Sequence, residues 1–127
     1  VKLIRAIEVS KAMNAPHSEV AGKKELEYDV EWIGLNPIDR AVLYTRIDAR
    51  VDEMVEKGLV EETKALLLKH GRINNFINTI GYQEILEYLD KKITFEEAIS
   101  SIKQNSRRYA KRQLTWFRRN KNINWQS

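Results

Sequence analysis

The sequence contains no cysteine, so neither a disulfide framework nor a thiolate zinc site can organise it, and an intracellular, cytoplasmic protein is the expectation. Histidine is almost as scarce. His17 and His70 lie far apart, each beside a turn signal where a solvated imidazole is the ordinary outcome, and neither is assigned a metal or catalytic role. No apolar run approaches the ~20 residues that span a bilayer, and the first residues lack a basic-then-apolar leader. A soluble protein with no membrane partner is expected. Internal repeats and low-complexity segments are missing too. The most informative absence is one of sign: no aspartate or glutamate follows Glu97.

That absence divides the chain electrostatically. Eighteen acidic and fourteen basic residues lie at or before Glu97, a balance of −4, whereas the eight basic residues beyond it stand alone at +8. A basic tail on an acidic body is the footprint of a polyanion binder, although tails that merely solubilise a chain share it.

At 127 residues and 43% apolar content the chain has the size of one domain able to bury a modest core. Leu3, Ile4 and Ile7 recur at helical spacing until Asn14 to Pro16 stop the pattern. Residues 28–35, YDVEWIGL, alternate instead and predict a strand. It is the single strand expected, and a lone strand leaves backbone groups unpaired. Its partner would have to be sequence from elsewhere or a second copy, as in a homodimer. Asn36 and Pro37 offer a cap and first position for a helix with the stripe Leu43, Ile47, Val51, Met54 and Val55, ending at Gly58. Another helix spans residues 59–69. RINNFINT, residues 72–79, is the least ordered-looking segment, and IGYQEILEYL reads as a turn opening a further helix. Thr94 and Glu97 form a capping box for a long helix over about residues 95–119. The fold class expected is therefore mainly α with a single strand.

The last helix has two faces. At ~100° per residue, Phe95, Ala98, Ile99, Ile102, Tyr109, Ala110, Trp116 and Phe117 share one broad arc, the expected core face. Gln113 falls inside that arc as a buried amide in need of partners. Opposite lie Arg107, Arg108, Lys111, Arg112, Thr115, Arg118 and Arg119, with Gln104 among them and no carboxylate on that side to neutralise them, over roughly 18 Å at ~1.5 Å per residue. A solvated face normally mixes both signs, because opposite charges one turn apart stabilise a helix and like charges repel. Nucleic-acid phosphate fits this face best. An anionic membrane surface, an acidic protein and plain solvation are the alternatives. Arginine's planar fork, which suits bidentate phosphate contacts and base stacking, favours structured RNA or DNA.

The same helix carries a family resemblance. ISSIKQNSRRYAKRQLTWFRR, residues 99–119, resembles the C-terminal signature of the tRNA dimethylallyltransferases, or tRNA isopentenyltransferases, above all in YAKRQLTWFR. LIRAIEV at 3–9, LYTRIDARVDEMVEKGLVEE at 43–62 and TIGYQEILEYL at 79–89 resemble the same family in the same order. The resemblance implies a P-loop-type α/β parent with helical additions that grip the anticodon stem-loop of tRNA. Members transfer a dimethylallyl group from dimethylallyl diphosphate to the exocyclic amine of the adenosine 3′ of the anticodon, after that base is flipped from its stack. Magnesium is expected at the departing diphosphate of the full-length enzyme. The family's phosphate-binding loop and catalytic aspartate belong to an N-terminal half, and no GxxxxGK[ST] occurs here. Residues 1–127 are thus expected to be the C-terminal part, inactive alone, with no catalytic residue and no bound metal of its own.

By motif, Arg50 matches an arginine implicated in binding the donor diphosphate, and Arg46, one turn earlier, is a second candidate. Surface ion pairing with Asp52, Glu53, Asp39 or Asp48 is the plainer reading of both. Lys2 and Arg5 match a tRNA-contacting basic segment, Asn78, Thr79, Ile80, Gly81 and Tyr82 a loop against the RNA, and Lys111, Arg112, Gln113, Thr115 and Arg118 the C-terminal RNA contact. Tyr82 either stacks on a base or packs in the core. Trp116, on the apolar arc, is expected to support the site rather than touch RNA. Without the resemblance, a stand-alone helical RNA-binding module explains the same residues.

Overall fold

Asp39 begins the main helical array: its side chain accepts the Ala41 N–H at 3.1 Å and caps α3, Arg40–Glu56. This and all that follows refer to a computed structural model describing residues 2–20, 28–36 and 39–126. Two units are present, residues 1–31 and residues 32–127.

The first unit holds α1, Lys2–Met13, and the short α2, His17–Val20. Asn14 ends α1 with φ of 49°, a left-handed conformation that asparagine tolerates at helix ends. No residue of α1 is buried, and Leu3, Ile4 and Met13 are exposed.

In the second unit, α3 is followed by α4, Leu59–His70, and the chain reverses between them at Gly58, whose φ of 100° an L side chain resists. The apolar stripe of α3 holds where it matters most, with Val51 buried and Met54 and Val55 packed on the core. The stretch 72–79 is more ordered than its polarity suggests. It contains a one-turn helix, α5 (Asn74–Ile77), nailed down by the buried ring of Phe76. Helix α6, Tyr82–Leu89, and α7, Phe95–Phe117, complete the array, the latter starting with the reciprocal box in which Thr94 Oγ1 accepts the Glu97 N–H and Glu97 accepts the Thr94 N–H. Val51, Leu59, Val60, Ile85, Ala98 and Ile102 form the core that these helices share.

Two expectations are corrected here. The strand is shorter than predicted, β1 at Trp32–Leu35, and it is not alone: β2, Ile123–Gln126, pairs with it in parallel, Trp32 opposite Ile123 and Leu35 opposite Gln126. The Asn36 N–H extends the ladder to the Gln126 carbonyl at 2.7 Å. A four-residue alternation after a basic run is too brief to register as a strand, which is why its partner went unseen. The strand finds its partner within the chain, so pairing with a second copy loses its premise. Gly34 makes the pairing possible, since a Cβ there would sit 2.6 Å from Ile123 and 2.7 Å from the Trp125 ring. The second correction is the cap of α3, which is Asp39; Pro37, expected to open that helix, lies outside the described residues.

Candidate nucleic-acid interface

The side of α7 beyond Ile102 is where apolar patterning and burial part company. Ala98 and Ile102 are buried, yet Tyr109, Trp116 and Phe117 on the same arc are 50%, 67% and 47% exposed. The predicted core face is thus a core face only in its first half. Amphipathic spacing reports that one side of a helix is apolar, and it cannot report whether another element covers that side. Gln113 is corrected with them, being exposed rather than a buried amide.

An open cleft of about 910 Å³ lies along part of the uncovered length, from Asn105 to Gln113. Leu43 and Ile47 of α3 lie at its base, Asn78, Thr79, Ile80 and Gln83 line one wall, and Asn105, Ser106, Tyr109, Arg112 and Gln113 of α7 line the other. Residues from three distant blocks of sequence therefore converge.

The loop wall is fixed from within. Asn78 Nδ2 donates to the Asn74 carbonyl at 2.8 Å and Thr79 Oγ1 to the Asn75 carbonyl at 2.6 Å, so both hydroxyl and amide hold their own turn. Gly81 is buried with φ of 101°. Its N–H donates to Glu84 Oε2 at 2.8 Å, while Asn105 Nδ2 donates to Glu84 Oε1 at 2.7 Å. The Glu84 carboxylate, only 3% exposed, thereby ties the loop wall to the helix wall. Sequence reading passed over Glu84 and Asn105. A carboxylate inside the apolar run IGYQEIL was the available signal, because a buried acid must be hydrogen-bonded. Tyr82 turns inward: its ring lies 5.2 Å from that of Phe76 and its hydroxyl donates to Glu62. That hydrogen bond, with burial and the Glu62 charge adding to it, raises the phenol above its ordinary value of 10.0. Of its two readings, the geometry realises packing.

The cations separate into two sets. Arg107 is removed from the free stripe, since its guanidinium reaches both Asp48 oxygens at 2.8 and 2.7 Å and lies 5.9 Å from the Tyr44 ring centroid. The neutralising carboxylate comes from α3, which a helical wheel of α7 cannot show. Arg108, Lys111, Arg112, Arg118 and Arg119 are exposed and make no ion pair among the described residues. Arg112 lies 5.8 Å from the Tyr109 ring and Arg119 5.6 Å from the Trp116 ring, so two guanidinium groups are held against exposed aromatics. Lys111, Arg112, Thr115, Trp116 and Arg119 line a shallow recess of about 280 Å³. Trp116 is on the surface rather than in the core, with Arg119 lying against its ring.

The arginines of α3, Arg46 and Arg50, do not line the cleft. Arg50 makes an exposed 3.5 Å ion pair with Glu53, the plainer of its two readings, and Arg46 is exposed without an ion pair among the described residues. Lys2 and Arg5 lie on α1 in the other unit, Arg5 3.3 Å from Glu8. Among the described residues no group of three or more acidic, histidine or cysteine side chains could hold a metal, and no helix is long and apolar enough to cross a membrane.

Comparison with known proteins gives a consistent result. The family model described as IPP transferase matches residues 1–120. A tRNA dimethylallyltransferase of Koribacter versatilis is 49% identical over 98% of this chain, which covers 41% of that protein. The crystal structure of the full-length tRNA isopentenylpyrophosphate transferase of Bacillus halodurans superposes with a TM-score of 0.75 at 47% identity, over 87% of this chain and 36% of that one. A tRNA isopentenylpyrophosphate transferase of Staphylococcus epidermidis gives 0.76 at 35% identity, over 96% and 40%. The chain spans about two fifths of the length of the relatives it matches.

Proposed function

The chain belongs to the IPP transferase family, and from that premise we propose that it is the RNA-gripping part of a cytoplasmic tRNA-modifying prenyltransferase. The parent enzyme transfers a dimethylallyl group from dimethylallyl diphosphate to the exocyclic amine of the adenosine 3′ of the anticodon. The observation that carries this reading is the cleft, where a hydrogen-bonded loop, 78–81, faces a helix bearing Arg112 and Gln113, with cations that make no ion pair among the described residues continuing along that helix.

The division of labour follows from what the residues can do. Arg108, Lys111, Arg112, Arg118 and Arg119 hold the RNA backbone, and the fixed loop gives the extruded base a wall of known position. Thr115 and Gln113 add polar contacts beside them. Arg50 and Arg46 serve the donor diphosphate from the exposed side of α3. Proton removal from the amine needs a base placed against it, and the cleft lining contains no aspartate, glutamate or histidine. We assign that base, and the magnesium expected at the departing diphosphate, to the part of the relatives beyond this span. The 127 residues alone are inactive and work with that remaining part.

Two measurements test the reading. The isolated chain should bind an anticodon stem-loop with strong salt dependence and yield no prenylated adenosine when given tRNA and dimethylallyl diphosphate. Prenylation by the chain alone would overturn the division of labour; absence of RNA binding would overturn the grip.

A further inference from the structure

Helices α3 and α7 run antiparallel along a seam whose rungs recur every four residues. Lys103 pairs with Asp52 at 2.6 Å, and one turn on Arg107 pairs with Asp48. The same steps then bring Lys111 level with Tyr44 and Thr115 level with Arg40, and Arg118, just beyond the last rung, joins them around one recess of about 80 Å³. At this end the carboxylates have stopped and the cations have not. Arg40, Lys111 and Arg118 make no ion pair among the described residues, and the nearest acid in sequence, Asp39, is occupied with the Ala41 N–H. Arg40 also opens α3, where the helix dipole disfavours a cation and where no acidic residue stands in the first turn. The Asp39 cap carboxylate offsets the dipole, so the cost that remains is the mutual repulsion of three cations lining one recess. A single bound anion relieves it.

We propose that the recess formed by Arg40, Tyr44, Lys111 and Arg118 is a phosphate-oxyanion site, in which an external phosphate takes the place that Asp48 and Asp52 fill on the lower rungs. The recess is small and lined mainly by these cations with Leu43, Leu114 and Thr115, and it is large enough to hold water-sized groups. The exposed guanidinium forks supply bidentate donors and Lys111 a point charge. The phosphate comes either from an RNA backbone or from a diphosphate, and the RNA source rests on the function proposed above.

Calorimetric titration with inorganic pyrophosphate and salt-dependent binding of an anticodon stem-loop, on the 127-residue chain and its variants, separate the sources. Arg40→Gln is expected either to lower the log–log salt slope for RNA by about one, if the site takes a backbone phosphate, or to weaken pyrophosphate about tenfold with the RNA slope intact, if it takes a diphosphate. Arg40→Glu, which adds the missing carboxylate rung, should abolish the affected binding without lowering the thermal midpoint, showing that the loss is not misfolding. Lys64→Gln on α4 removes an equal charge elsewhere and should change neither arm. Arg40→Gln leaving both arms unchanged, Lys64→Gln matching its effect, or an unmodified chain binding neither probe would overturn the site. If pyrophosphate binds through Arg40 while RNA does not bind at all, the recess stands and the tRNA reading fails.

Discussion

The two halves of α7 follow one apolar-and-basic pattern and meet different fates. Up to Arg107 the helix is integrated: Ala98 and Ile102 are buried, and Lys103 and Arg107 are neutralised by α3. Beyond Arg107 the cations are unpaired among the described residues and Tyr109, Trp116 and Phe117 are exposed. The difference lies in the neighbours, not in the helix. A structural half and a recognition half can therefore be written in one periodicity and told apart only by what packs against them.

Mutation can break or sharpen this contrast. The largest effect is expected from Ile102→Ala, which removes a side chain 1% exposed and should lower urea-unfolding stability by about 2–5 kcal/mol; Trp116→Ala, deleting a larger but exposed ring, should stay within about 0.5 kcal/mol. Equal losses would erase the distinction. Asp48→Ala leaves the half-buried Arg107 without the carboxylate that its Nη1 meets and should cost about 1 kcal/mol by the same measurement. Arg112→Ala should leave stability unchanged while weakening stem-loop binding and flattening its salt slope by about one phosphate contact. The smallest effect concerns the loop wall. Because the Tyr82 phenol is raised by its bond to Glu62, its contribution is intact below the unfolded value of 10.0 and disappears as pH climbs through the higher folded value. Tyr82→Phe should make the alkaline decline of stability shallower; an unchanged profile would show that the bond contributes nothing.

Helix existence was legible because the stripes of α3 and α7 and the Thr94–Glu97 box are local signals. The second strand was not, since INWQ acquires its meaning only from β1 some ninety positions earlier. The site was partly legible in the same sense. Arg112, Gln113 and the 78–80 wall were singled out from separate blocks and do share one cleft. Arg107 was misplaced because its partner lies on another helix, and Glu84 was overlooked because its two donors, Gly81 and Asn105, come from a loop and a helix. Pairwise chemistry across elements is what periodicity leaves out.

The parallel pairing of β1 with β2 also sets an order of events during synthesis. Trp32, Ile33 and Leu35 leave the ribosome roughly ninety residues before Ile123 and Trp125, a wait on the order of ten seconds at ordinary elongation rates. The helical core can assemble meanwhile from α3 to α7. The apolar strand cannot, and for that interval the nascent chain carries an unpaired, aromatic edge that ribosome-associated chaperones are suited to hold.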